Sequence, residues 1–149
     1  KGGKREEVIQ SAERLRAAGI KHSVIVLLGI GGVAGSARHA EQTASLLTAI
    51  DPAFCGALTT TVVPGTPLWD LQKAGKFELP DKFTMLEELR VLIAESDLTA
   101  CRFSSNHASN YLPLRGVLGR DRAAMLGALD HVLARRDELL LKPEWMRGL

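Results

Sequence analysis

The sequence predicts an α/β domain built on a parallel sheet, and three observations predict it. Helical and strand patterns alternate along the 149 residues in the order helix, strand, helix, strand, helix. Parallel strands need crossover helices of that kind. The run Ser23-Val24-Ile25-Val26-Leu27-Leu28 is continuously apolar after its first residue rather than alternating, the pattern of a strand buried on both faces. Glycine and proline punctuate the chain where one pattern gives way to the next, at Gly19, Gly29-Ile30-Gly31-Gly32, Asp51-Pro52 and Pro64-Gly65-Thr66-Pro67.

Each element follows from its residues. Over 4–18, Val8, Ile9, Ala12 and Leu15 recur at helical spacing, and Gly19 suits the position after the last turn. A strand over 23–28 leads into the glycine-rich loop. Ser36 is the expected N-cap of a second helix carrying Ala40, Ala44, Leu47 and Ile50 on one face. Asp51-Pro52 stops it. Residues 54–63, with Thr59-Thr60-Thr61, read as a second strand. A short helix over 68–74 comes next. Asp81 or Thr84 can cap a helix over 85–96, with Leu86, Leu89, Leu92 and Ile93 inward. Residues 99–103 form a third, shorter strand, and 104–115 a polar loop. A long amphipathic helix over 119–140 carries Met125, Leu126, Leu129, Val132 and Leu133, and Pro143 ends it.

Composition narrows the function classes. Hydrophobic residues make up 46 % and charged residues 24 %, as in a globular domain with a real core. Lys and Arg number 19 against 17 Asp and Glu, a net charge of +2. That excess gives no signal for nucleic acid or for an acidic membrane as partner. No apolar run approaches the roughly 20 residues that span a bilayer. The two cysteines, Cys55 and Cys101, cannot build a disulfide framework or hold a metal by themselves. Free thiols without an export signal point to the cytoplasm. Lys1 stands where a Met would start a chain, and a helical pattern begins at once, so the sequence reads as a piece of a longer protein.

Chemistry in parallel α/β sheets gathers at the carboxyl ends of the strands. Two such ends stand out. At Gly29, Gly31 and Gly32 the backbone could approach a ligand closely, beside a helix N-terminus, or the loop could be a plain tight turn. At Val63, Pro64 and Gly65 a stiff turn follows the second strand. In the polar loop, Asn106, His107, Asn110 and Tyr111 could face a substrate, His107 as an acid or base. His22, His39 and His131 read as surface or strand-edge residues, and Trp69 and Trp145 as packing anchors.

These pieces share an order and spacing. Lys1-Gly2-Gly3 precedes a helix; Ala18-Gly19-Ile20, Leu28-Gly29-Ile30-Gly31-Gly32, Asp51-Pro52 and Val63-Pro64-Gly65-Thr66-Pro67-Leu68 follow in turn. Together with Ser105-Asn106-His107-Ala108-Ser109-Asn110-Tyr111-Leu112-Pro113-Leu114, they resemble the second half of the catalytic domain of radical S-adenosylmethionine (SAM) enzymes. The branch is that of iron–sulfur oxidoreductases related to oxygen-independent coproporphyrinogen oxidase. The resemblance implies part of a (β/α)6 partial TIM barrel over 1–98, holding its last strands and helices, and a C-terminal extension of loop and long helix over 99–149. It implies SAM and a [4Fe–4S] cluster as cofactors of the full-length protein, and radical chemistry on an unidentified substrate. Strand 23–28 would stand fifth and strand 54–63 sixth. Gly29, Gly31, Gly32, Val63, Pro64 and Gly65 would lie near the cofactor, and Asn106, His107, Asn110 and Tyr111 near the substrate. The family's Cys-x-x-x-Cys-x-x-Cys loop is absent from this chain, and its Gly-x-Ile-x-Gly-x-x-Glu pattern has no Glu in register here. The resemblance therefore implies a chain that cannot hold the cluster without a missing N-terminal half of the barrel, and an open sheet edge through which it could self-associate. The alternatives are a non-catalytic scaffold on the same fold, and a cofactor-independent α/β enzyme using His107.

Overall fold

A computed structural model describes residues 3–148. Its elements run α1 (Arg5–Ala17), β1 (Ser23–Leu28), α2 (Gly32–Ile50), β2 (Phe54–Thr59), α3 (Pro67–Lys73), α4 (Lys82–Glu95), β3 (Arg102–Ser104), β4 (Arg115–Val117) and α5 (Arg122–Arg135). Two short 3-10 turns, Glu138–Leu140 and Glu144–Met146, follow. The strands form one sheet in the order β1-β2-β3-β4. β1 and β2 are parallel, as are β2 and β3, while β4 returns antiparallel to β3. The α/β class and the mostly parallel sheet are therefore as expected. The sheet and its core run through residue 98: Leu28, Cys55 and Leu89 share one cluster with Phe103, Leu118 and Leu129.

Register decides which residues share a face. Ser23 lies opposite Phe54, Ile25 opposite Gly56 and Leu27 opposite Leu58. Phe54 in turn lies opposite Arg102, and Gly56 opposite Ser104. Side chains alternate along a strand, so this set makes one face. The other carries Val24, Val26, Leu28, Cys55, Ala57 and Phe103, which pack with Leu47 and Ile50 of α2, Leu86 and Leu89 of α4, and Leu129 of α5. Only that second face is covered. Ile25 is 67 % exposed, and Leu27 and Phe54 are exposed as well. The expectation that β1 is buried on both faces is corrected here: its continuous apolar run serves one core and one bare surface.

Other boundaries move for identifiable reasons. α2 begins at Gly32, not after Ser36. Ser36 sits inside the helix, buried, because its hydroxyl donates to Glu88 at 2.6 Å. α4 starts after Asp81, whose Oδ1 accepts the Thr84 N–H at 2.7 Å. β2 stops at Thr59 where its partner β1 stops at Leu28. The last helix ends at Arg135 because Arg136 turns left-handed with φ of 47°, and residues 138–140 resume only as a 3-10 turn. β4, Arg115–Val117, was not expected; it lies at the junction between the stretch read as a loop and the long helix. Trp145 is 83 % exposed and anchors nothing; the tail is held instead by Arg147, whose guanidinium lies 3.9 Å from the centre of the Tyr111 ring. No described helix is long and apolar enough to cross a membrane.

Candidate functional site

The carboxyl ends of β1 and β2 stand side by side, Leu28 opposite Thr59. The Thr60 N–H continues the ladder by donating to the Leu28 carbonyl at 2.9 Å. Beyond that point the two strands diverge into the glycine-rich loop and the 60–66 turn. Between them lies a cleft of 350 Å³, walled by Leu27, Ile30, Leu58, Val63 and Leu68, with His107 at its margin. A second and more polar cleft of 780 Å³ lies on the far side of residues 60–62, lined by Tyr111, Glu144 and Arg147 among others. Thr60 borders both. Its Oγ1 is buried and has no hydrogen-bond partner among the described residues. A buried hydroxyl in that state is unusual.

The glycine-rich loop is held from an unexpected direction. Glu88, on α4, is 2 % exposed. Its Oε2 accepts the Gly29 N–H at 2.8 Å and lies 3.3 Å from His39 Nδ1, while Oε1 accepts the Ser36 hydroxyl at 2.6 Å. Burial alone would push this carboxyl upward. The bonds from His39, Ser36 and Gly29 outweigh that and hold it below the ordinary carboxylate range. The sequence shows no Glu in register within the loop, yet a carboxylate reaches the loop from 59 residues away. The charged neighbours of Glu88 mask it, because beside Glu87 and Arg90 it looks like one more solvent-facing charge of an amphipathic helix. Its detectable signal is a carboxylate on the inward face. His39, read as a surface residue, is half-buried through the same contact.

The three loop glycines are small for the protein's own sake. A side chain at Gly29, where φ is +81°, would press on Met85 at 3.1 Å. One at Gly32, where φ is +68°, would meet Phe77 and the Glu78 carbonyl at 3.3 Å. One at Gly31 would strike His39 at 2.9 Å. The first N–H groups of α2 are also committed, Gly32 to the Gly29 carbonyl and Val33 to the Glu78 carbonyl. The expectation that these glycines present open backbone to a ligand gives way to one in which Ile30 alone of the loop lines the cleft. Of the second turn, Val63 lines the cleft, whereas Pro64 and Gly65 are exposed outside it. Thr66 ties that turn down, its hydroxyl donating to the Val63 carbonyl at 2.7 Å.

The polar loop divides in the same way. β3 pairs with β2 only as far as Gly56. Beyond it, side chains replace the missing ladder. Asn110 Nδ2 donates to the Ala57 carbonyl at 2.7 Å, the Thr59 N–H donates to Ser109 Oγ at 3.2 Å, and the Thr59 hydroxyl donates to Asn110 Oδ1 at 3.0 Å. Asn110 is buried and fully engaged, so it seals the strand rather than facing a substrate. Tyr111 is buried under Arg147, though it borders the polar cleft. Burial, aided by Glu144, pushes its phenol up to about 12. Asn106 is exposed and accepts from the Ser104 hydroxyl at 2.6 Å. His107 is the one member of this group that reaches the apolar cleft. Its Nδ1 is held by the Ser109 N–H at 3.2 Å, so Nε2 is the ring nitrogen left for a ligand.

Cys55 and Cys101 are separated in sequence and neighbours in the fold, on and beside the paired strands β2 and β3. Burial, and then Cys101, pushes Cys55 up to about 12; burial, and then Asp51, pushes Cys101 up to about 11. Neither is a thiolate near neutral pH. Among the described residues, no three His, Cys, Asp or Glu side chains are grouped to share a metal ion. No protein-family model matches the chain, and no curated protein matches it either.

Proposed function

We propose that this chain is the C-terminal half of a radical SAM barrel, with β1 and β2 as its fifth and sixth strands. The observation that carries the reading is the bare sheet face. Parallel sheets are normally covered on both sides, and here helices pack on one side only, leaving Ile25, Leu27 and Phe54 exposed. Closing the sheet with further strands would turn that face into a barrel interior. The apolar cleft then lies at the mouth of the barrel, at the strand ends where ligands of such folds bind.

The residues present do not fit an iron–sulfur cluster, which needs thiolate ligands; the two buried thiols are protonated and isolated from the cleft. The cluster belongs in this reading to the N-terminal half, and no step runs through it here. The cleft does suit the nucleoside part of SAM. Ile30 and Val63 offer apolar walls for a flat ring. SAM bound there supplies the radical chemistry; this chain's residues bind, orient and exclude water. His107 Nε2 faces the substrate side of the same cleft. Free thiols suit a reducing cytoplasm.

The test uses the full-length protein, purified and reconstituted with iron without oxygen. With dithionite it is expected to release 5′-deoxyadenosine from SAM. Ile30→Asp and Val63→Asp should each lower that release at least about tenfold, the effect of about 1.4 kcal/mol lost from binding, with iron content unchanged. A reading frame with no three-cysteine loop upstream of Lys1, or SAM cleavage indifferent to both substitutions, overturns the reading.

A further inference from the structure

The opposite end of the sheet carries a second cavity that the proposed activity does not use. It measures 610 Å³ and lies at the amino ends of β1, β2 and β3, where three loops meet. Its charged lining is Arg16 at the end of α1, Lys21 before β1, Arg102 on β3, and the single carboxylate of Asp51. Asp51 is engaged: its two oxygens accept the Thr99 N–H at 3.0 Å and the Thr99 hydroxyl at 2.8 Å. Arg16 is fixed in place by donating from Nη2 to the Ile50 carbonyl at 2.8 Å, which leaves its other N–H groups free of side-chain acceptors. Lys21 and Arg102 have no side-chain hydrogen bond or ion pair among the described residues.

What makes this cavity informative is that its three cations converge on one concave space and, among the described residues, none of them faces a carboxylate. Three cations sharing one concave space with one engaged carboxylate repel one another and focus positive potential there. The wall beside them is apolar and exposed: Phe54 and Ile20. His22 Nε2, also in the lining, is buried without a hydrogen-bond partner among the described residues.

We propose that this cavity binds an organic phosphate carried on a flat apolar body. The guanidinium forks of Arg16 and Arg102 match phosphate oxygens, Lys21 adds a point charge, and Phe54 supplies a face for the body to lie on. The proposal stands on these residues alone; Phe54 and Arg102 share the bare sheet face, so within the proposed barrel the cavity would lie at the amino ends of its strands.

The probe is phenyl phosphate, titrated calorimetrically into the chain, with inorganic phosphate and phenol as comparisons. Phenyl phosphate is expected to bind more tightly than either and to raise the melting temperature by mass action. Arg102→Gln and Lys21→Gln should each weaken it about tenfold, the worth of one charge-assisted contact. Phe54→Ser should weaken phenyl phosphate while leaving inorganic phosphate unchanged. Lys73→Gln, on α3, should change nothing. No saturable binding, or binding indifferent to Arg102→Gln and Lys21→Gln, overturns the site. Equal affinity for phenyl phosphate and inorganic phosphate overturns the apolar component.

Discussion

The two faces of one sheet are built from alternate residues of the same strands, and they have opposite fates. Cys55, Ala57 and Phe103 are sealed under α2, α4 and α5, whereas Phe54, one residue from Cys55, is exposed. The composition of the faces does not explain this, since both are apolar along β1. What differs is the supply of partners. The helices that pack on the sheet, α2, α4 and α5, all lie on one side; on the other, the 63–68 segment reaches only the strand ends, where it walls the cleft with Leu27 and Leu58. Stability therefore resides on one side of the sheet, and the other is free to be a surface for something else.

The sharpest way to break this comparison is to truncate one residue on each side. Phe103→Ala should cost about 3–5 kcal/mol, because it leaves a cavity among α4, α5 and the sheet. Ile25→Ala, on the bare face of the neighbouring strand system, should change stability by less than about 0.5 kcal/mol. Urea unfolding of the two variants measures both. Comparable losses would mean that the bare face is covered in solution.

The next effect in size concerns how the covered side holds the glycine-rich loop. Glu88→Gln keeps the shape and removes the charge that His39, Ser36 and Gly29 address. It should cost about 2 kcal/mol near neutral pH, the scale of a hydrogen bond to a charged group. The pH dependence has a definite sign. The Glu88 carboxyl lies below its ordinary value of 4.5 when folded. The folded state thus binds fewer protons than the unfolded one, and stability falls as the solution is acidified. The Glu88 contribution is complete above about 4.5 and disappears as pH falls through the folded value. The gap between the urea midpoints of the wild type and Glu88→Gln should close over that window, and a gap that stays constant would deny Glu88 this role.

Much of this architecture was legible in the sequence. β1 was readable to the residue, because glycines bound a short β-branched run. The α/β order, the Asp81 cap and the stripe of α4 followed from periodicity and capping chemistry. Three things were not legible, each because its cause is non-local. The bare face depends on which side the helices return to, and a continuous apolar strand looks the same either way. Glu88 stands among the other charges of an amphipathic helix and acquires meaning only when α4 lies against the loop after β1. Asn110 and Ser109 replace a β ladder, a role that exists only because β3 is short. At the candidate site the end of β1 was located correctly, β2 ends four residues earlier than read, and Val63 and His107 line the cleft. The loop glycines proved to serve packing, while Ile30 and Thr60, quoted in the sequence only as part of a loop and a strand, line the cleft.

The smallest effect on stability is the one that bears most on what the bare face is for. β1 is an edge strand with Ile25 and Leu27 exposed beside its unpaired edge, and such edges invite association. The chain on its own is expected to self-associate as concentration rises, burying this face against a second copy. The double variant Ile25→Lys, Leu27→Lys places two charges on the edge. It should shift the chain toward monomer in multi-angle light scattering while moving the urea midpoint by less than about 0.5 kcal/mol equivalent. If the chain is half of a barrel as proposed, co-expression with the N-terminal half should have the same effect on the unsubstituted chain, because the added strands would occupy the edge and roof the face. A wild-type chain that stays monomeric at every concentration would remove the open edge as a driving surface. The contrast between the two faces would then need another explanation, such as the bare residues closing on themselves in solution.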